Sequence, residues 1–160
     1  MPTHDNFLRR IAARGLIRPC VRALIFHPTR RDILVEQNIY EPEAYYSFPG
    51  GEYEVGDSLI GRLEIELQEE TNASLLHCRY LFVVENLFYV EGNLLHSLEH
   101  YFEAGIDREH VESREAHLIH AWLPVEDLTR YDLRPYVVRD HVAQGTFRTL
   151  RHIHSHEKPA

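Results

Sequence analysis

The 160-residue sequence predicts one α/β domain with helices layered around a mixed β-sheet, and two patterns carry that expectation. Short apolar runs of strand length lie on both sides of one helical stretch at 59–70, and a second helical stretch follows at 135–144. Strands and helices that alternate in this way bury their apolar faces as stacked layers. The length suits one hydrophobic core rather than two, so residues 1–160 are read as a single domain, with its core at about 18–145.

Taken in order, residues 5–14 form a short amphipathic helix that Asp5 caps and Gly15 ends. The apolar run at 21–26 reads as a buried strand, followed by the turn His-Pro-Thr-Arg-Arg-Asp and a strand at 33–35, so that these two strands pair as a hairpin. Residues 41–44 are a polar loop. Tyr45, Tyr46, Ser47 and Phe48 lead into Pro49-Gly50-Gly51, where glycines permit a tight turn. Ser58 is an N-cap for the helix that follows, Leu59, Leu63 and Leu67 form its buried stripe, and Asn72 closes it in the left-handed conformation. Strands are expected at 80–84, 87–90, 98–104 and 118–123, with a turn at Glu91-Gly92-Asn93. From about residue 148 the chain is basic and His-rich, and it reads as a loosely ordered tail.

The formal net charge of −8 argues against a nucleic-acid surface, which needs clustered Lys and Arg. It also means that an anionic substrate needs metal ions or a local basic patch. Cys20 and Cys78 are isolated thiols, a pattern of a reducing compartment rather than of a zinc site or a disulfide framework. No apolar run is long enough to span a membrane and no secretory h-region opens the sequence, so the expectation is a cytoplasmic protein with no membrane partner.

The predicted helix at 59–70 carries Glu66, Glu69 and Glu70 at i, i+3 and i+4. At about 100° per residue these carboxylates crowd one arc, where like charges repel unless a cation joins them. Hard divalent ions such as Mg²⁺ take oxygen ligands. The preceding Pro49-Gly50-Gly51-x-x-Glu54-x-Gly56 completes a stretch that resembles the Nudix box. Gly51 opens the box, Asp57 stands where its first Glu belongs, Glu66, Leu67, Glu69 and Glu70 match directly, and Ala73 ends it. Trp122-Leu-Pro-x-Glu-Asp-Leu128 downstream also agrees with the family. Three positions depart: Asp57 for Glu, Ile65 for the box Arg and Asn72 for Gly.

The resemblance implies an α/β/α sandwich around a mixed sheet and a Mg²⁺- or Mn²⁺-dependent pyrophosphohydrolase acting on a nucleoside diphosphate linked to another moiety. Glu66, Glu69 and Glu70 would hold the metal, and water activated by it would attack phosphorus, with Glu69 and Glu70 in catalytic roles. The missing box Arg implies a carboxylate that lacks its orienting partner, hence a slow enzyme or one needing high metal. An alternative is a catalytically weak or inactive module of the same fold that binds a nucleotide derivative as a sensor. A homodimer is common in the family.

A further acid from outside the box is expected, and the candidates are Glu99, Glu115 and Glu54. His96, His100, His110, His117 and His120 cluster in the second half without an assigned role, while His152, His154 and His156 alternate in the tail. Arg22, with Arg18, is a candidate phosphate contact, and Gly50 and Gly51 are candidate substrate contacts. Tyr45 and Tyr46 are candidates to stack a base, Phe48 fits core packing better, and Tyr89 falls near a tyrosine found in dinucleoside polyphosphate members.

Overall fold

The computed structural model describes residues 4–40 and 45–157; the expected loop at 41–44 lies outside them. The first helix, α1, spans His4–Ala13 and so takes in Asp5 instead of being capped by it. Gly15, at φ 62°, then turns the chain. Strand β1 (Arg18–Ile25) is buried on both faces from Cys20 on, apart from the half-buried Arg22, and β2 (Asp32–Asn38) is buried over 33–36. They do not form the expected hairpin. A single bridge, Phe26 to Ile33, joins them before they diverge into different sheets.

Strand β3 (Tyr46–Ser47), β4 (Gly50–Glu52) and helix α2 (Leu59–Glu70) follow. The two strands expected at 80–84 and 87–90 are one long strand, β5 (Leu75–Val90), which bends at a register shift between Tyr80 and Phe82. It returns as β6 (Asn93–Ile106) through Glu91 and Gly92, both at positive φ, the geometry that matches a tight turn to strand twist. Then come β7 (Leu118–Pro124), β8 (Leu133–Arg134), α3 (Tyr136–Gln144) and β9 (His152–His156).

The strands make two mixed sheets, ordered β4-β1-β6-β5-β9 and β7-β2-β3-β8. The expected loose tail is an ordered strand instead: β9 lies parallel to β5, with Ile153 and Ser155 buried and the alternate histidines exposed. Period-2 burial with a polar outer face disguises such a strand as a histidine-rich tail.

Two apolar clusters set the layers. Leu63 and Leu67 of α2 pack on Val21, Ala23, Ile25, Leu34 and Phe102. Val138 and Val142 of α3 join Leu24, Val35, Phe48, Phe82 and Tyr101. Because β1 sends Val21, Ala23 and Ile25 to one cluster and Leu24 to the other, the two helices cover opposite faces of it. The expected helix–sheet–helix α/β arrangement is the one observed. Among the described residues no helix is long and apolar enough to cross a membrane.

Ser58 caps α2 as expected, its Oγ accepting from the Gly61 N–H at 3.0 Å. The other end differs. Thr71, not Asn72, closes the helix: its hydroxyl and its N–H both donate to the Leu67 carbonyl, and its φ of −137° is extended. Asn72 adopts no left-handed conformation; its side chain instead accepts from Glu112 N at 2.9 Å and donates to the His110 carbonyl at 3.3 Å, pinning that loop beside the helix end.

Candidate active site

A cleft of about 870 Å³ opens beside α2 and takes side chains from both sheets. One wall is the start of β4, where Gly50 and Gly51 pair with Arg22 and Val21 of β1. Gly50 sits at φ 151°, and a Cβ there would lie 1.9 Å from the Val21 carbonyl oxygen, so only glycine fits. A Cβ on Gly51 would lie 2.5 Å from the Glu66 carboxyl carbon. The bare backbone thus lets the Glu66 carboxylate press directly on β4.

Glu66, Glu69 and Glu70 all line the cleft. Burial raises the Glu66 carboxyl above its ordinary pKa, with Arg62 pulling the other way. Glu70 is pushed up to about 10, first by burial and then by the neighbouring charges of Glu36 and Glu66. Among the described residues nine carboxylates and five guanidiniums line this cleft, so an anionic ligand needs added positive charge to enter it.

The position that lacks the box Arg does not leave an orienting gap. Arg62, one turn earlier on α2, donates from Nε to Asp57 Oδ2 at 2.7 Å and from Nη1 to Glu66 Oε1 at 3.5 Å. That hydrogen bond holds the Asp57 carboxyl below the usual range. Ile65 is 38% exposed and neither packs in the core nor faces these acids. The expectation of an unsupported carboxylate is therefore corrected: the guanidinium comes from Arg62, because residues four apart, here Arg62 and Glu66, share a helix face.

Of the other residues expected at the site, Arg22, Glu99, Gly50, Gly51, Tyr45, Glu54 and Tyr89 line the cleft. Arg22 is held between Glu99 (3.4 Å) and Glu36 (3.8 Å) and donates to the Phe48 carbonyl at 3.2 Å. Glu99 is 4% exposed, and its Oε2 is buried without a hydrogen-bond partner. Two candidates do not reach the cleft. Tyr46 turns inward from β3, packs on the core and meets Tyr131 edge-on at 6.1 Å, because alternate residues of a strand face opposite ways. Glu115 is exposed on the loop before β7, 3.8 Å from His117, and does not line the cleft. Tyr45 does line the cleft, and its ring lies 4.4 Å from the Arg134 guanidinium. Phe48 is buried in the core.

Sequence reading passed over Glu36 and left His120 without a role. They are direct cross-strand partners on β2 and β7, with Glu36 Oε2 and His120 Nε2 3.5 Å apart. The signal available was a carboxylate ending the apolar run Ile33-Leu34-Val35, which is out of place in a buried strand unless paired.

No family model and no curated protein matches the chain. Solved structures do. The MutT protein from Bacillus halodurans is 16% identical with a TM-score of 0.68, over 88% of this chain and 91% of that one. The MutT NUDIX hydrolase from Burkholderia pseudomallei is 20% identical with a TM-score of 0.66, over 81% and 97%. This chain has the Nudix fold. The NUDIX domain of Shewanella oneidensis NrtR, solved with ADP ribose, extends the comparison at 18% identity and a TM-score of 0.65, over 89% and 97%. Within the Nudix fold of this chain, Gly50, Gly51 and the acidic face of α2 meet in one cleft, and the carboxylate oxygens there are the donor type that hard cations take.

Proposed function

We propose that the chain is a divalent-metal-dependent pyrophosphohydrolase that cleaves a nucleoside diphosphate linked to another moiety. The observation that carries this reading is the meeting of Glu66, Glu69 and Glu70 with the Gly50–Gly51 turn in one cleft whose acids outnumber its arginines.

The donor set fits Mg²⁺ or Mn²⁺. All three side chains offer oxygen. Burial and mutual repulsion destabilise the charged forms of Glu66 and Glu70, and a cation relieves that strain. A bound divalent ion supplies charge neutralisation at phosphate oxygens and acidifies water. The chain's own residues do the rest. Arg62 orients Glu66 through its guanidinium. Arg22, fixed by Glu99 and the Phe48 carbonyl, presents positive charge in the cleft where a phosphate arm would lie. Glu99 has an unpartnered oxygen suited to accept a proton from the attacking water, and Tyr45 offers a ring face for a base at the cleft wall.

A sensor module that binds without cleaving is the competing reading, and its motive was the absent box Arg. The Arg62 contacts to Asp57 and Glu66 weaken that motive. The deciding experiment is a phosphate-release screen against a panel of nucleoside diphosphate derivatives, run with Mg²⁺ or Mn²⁺. Release that needs metal and disappears in a Glu69→Gln, Glu70→Gln double variant is the expected result. Tight binding of a panel member with no release under any metal would favour the sensor. A cytoplasmic location, a single domain and a homodimer remain part of the proposal, and fractionation and sedimentation measurements address the first and last.

A further inference from the structure

A second donor set shares Glu70 with the acidic arc of α2 and adds Glu36 from the cleft wall and His120 behind it. Glu36 sits at the centre of the smaller sheet, with His120 of β7 on one side and Ser47 of β3 on the other. Its side chain is 8% exposed and that of His120 not at all. His120 Nδ1 lies 2.6 Å from Ser113 Oγ. With Nδ1–H donating to that hydroxyl, Nε2 carries the lone pair and points at Glu36 Oε2, 3.5 Å away. Both atoms are buried with no hydrogen-bond partner among the described residues. Ser47 Oγ stands 3.5 Å from the other Glu36 oxygen, and Arg22 Nη1 lies 3.8 Å from it, so the carboxylate is oriented from behind. Glu70 completes the set: one donor atom from each of Glu36, Glu70 and His120 lie within 4.8 Å of one another.

A buried carboxylate, a half-buried one and an imidazole nitrogen, with Glu36 Oε2 and His120 Nε2 unpartnered among the described residues, form a costly arrangement that a cation would satisfy. A histidine fixed through its far nitrogen and a carboxylate braced by a hydroxyl are the outer contacts that metal ligands require. We propose that Glu36, Glu70 and His120 bind a divalent first-row transition ion of the Zn²⁺ and Mn²⁺ class. Glu70 is common to this site and to the all-carboxylate set with Glu66 and Glu69, and the imidazole ligand distinguishes the two, because nitrogen donors favour transition ions over Mg²⁺. The site stands on metal binding alone and does not require hydrolysis.

The test uses the chelator-stripped full chain with Mn²⁺ alone, read by pulsed electron paramagnetic resonance, and with Zn²⁺ alone, read by competition against a chromophoric chelator. Wild type should give a ¹⁴N coupling on Mn²⁺. That coupling should survive replacement of His152, His154 and His156 by Gln, and also survive Glu66→Gln with Glu69→Gln. It should vanish in His120→Gln, whose Zn²⁺ affinity should drop by roughly ten-fold or more. Wild-type Mn²⁺ without nitrogen coupling overturns the proposal, without recourse to any variant that fails to fold. So does a coupling lost with the tail histidines or kept in a folded His120→Gln. A nitrogen-coupled ion in a chain that hydrolyses nothing sustains this site while defeating the hydrolase reading.

Discussion

Arg62, in the first turn of α2, donates at 2.7 Å to Asp57 just ahead of the helix, and the same guanidinium reaches Glu66 one turn on at 3.5 Å. A short Asp and a displaced Arg thus restore, from different positions, the charge contact that Ile65 cannot make. The departures at 57 and 65 are parts of one rearrangement.

Ile65→Arg should therefore change little. The side chain is part-exposed, so stability should move by no more than about 0.5 kcal/mol in denaturant unfolding. Turnover should stay within about two-fold of wild type. Arg62→Met is the informative variant: the metal concentration for half-maximal activity should rise roughly 10–100-fold, because an orienting contact to a ligating carboxylate is gone. A large gain from Ile65→Arg would show that Arg62 does not do this work.

Gly50 and Gly51 should fail in different ways when changed to Ala. At Gly50 the new methyl meets the Val21 carbonyl at 1.9 Å on a backbone at φ 151°, so Gly50→Ala should lose about 3 kcal/mol or more of stability. At Gly51 it meets the flexible end of Glu66 at 2.5 Å. Gly51→Ala should fold with a near-normal melting temperature, yet bind Mg²⁺ weakly in a calorimetric titration. Equal melting losses in both would mean that the Glu66 carboxylate has no room to shift.

Glu70 makes metal-free stability depend on pH. Its folded pKa is raised from 4.5 to about 10, chiefly by burial. Between those values the native state keeps a proton that the unfolded chain releases, so stability falls as pH rises through the window, by at most about 1.4 kcal/mol per pH unit. With chelator present, Glu70→Gln should melt higher than wild type at about pH 8 and match it at about pH 4. Mg²⁺ should restore the wild type at the higher pH. Parallel melting curves for the two proteins across this range would remove Glu70 from the buried acidic set.

The last strand is part of the core. Ile153 is 8% exposed and packs in the cluster with Phe82, Val84 and Phe147. Ile153→Ala should cost about 2–4 kcal/mol by denaturant unfolding, whereas His154→Ala, on the exposed side of the same strand, should cost almost nothing. Equal and negligible effects would return this segment to the status of a tail.

Much was legible from local pattern. Ser58, Leu63, Leu67 and the 3,4-spacing of Glu66, Glu69 and Glu70 describe α2 without any tertiary information, because capping, burial stripe and charge arc all repeat within one helix turn or two. The glycine turn was legible for the same reason. Errors fell where a partner distant in sequence decided the outcome. The β1–β2 hairpin gave way because each strand had better partners elsewhere, β6 for one and β7 for the other. Asn72 was drawn off by the loop at 110–112, and Tyr46 by Tyr131.

The sequence by itself determined an α/β chain with an acidic helix behind a glycine turn, since those features rest on backbone sterics and on periodicity along one element. Only the tertiary structure decided which outside residues complete the cleft. Glu36 and His120 lie far apart in the chain and become neighbours through β2–β7 register, and Arg22 meets Glu99 through the parallel pairing of β1 with β6. Strand register is set by burial summed over whole sheets, so no short stretch of residues encodes it.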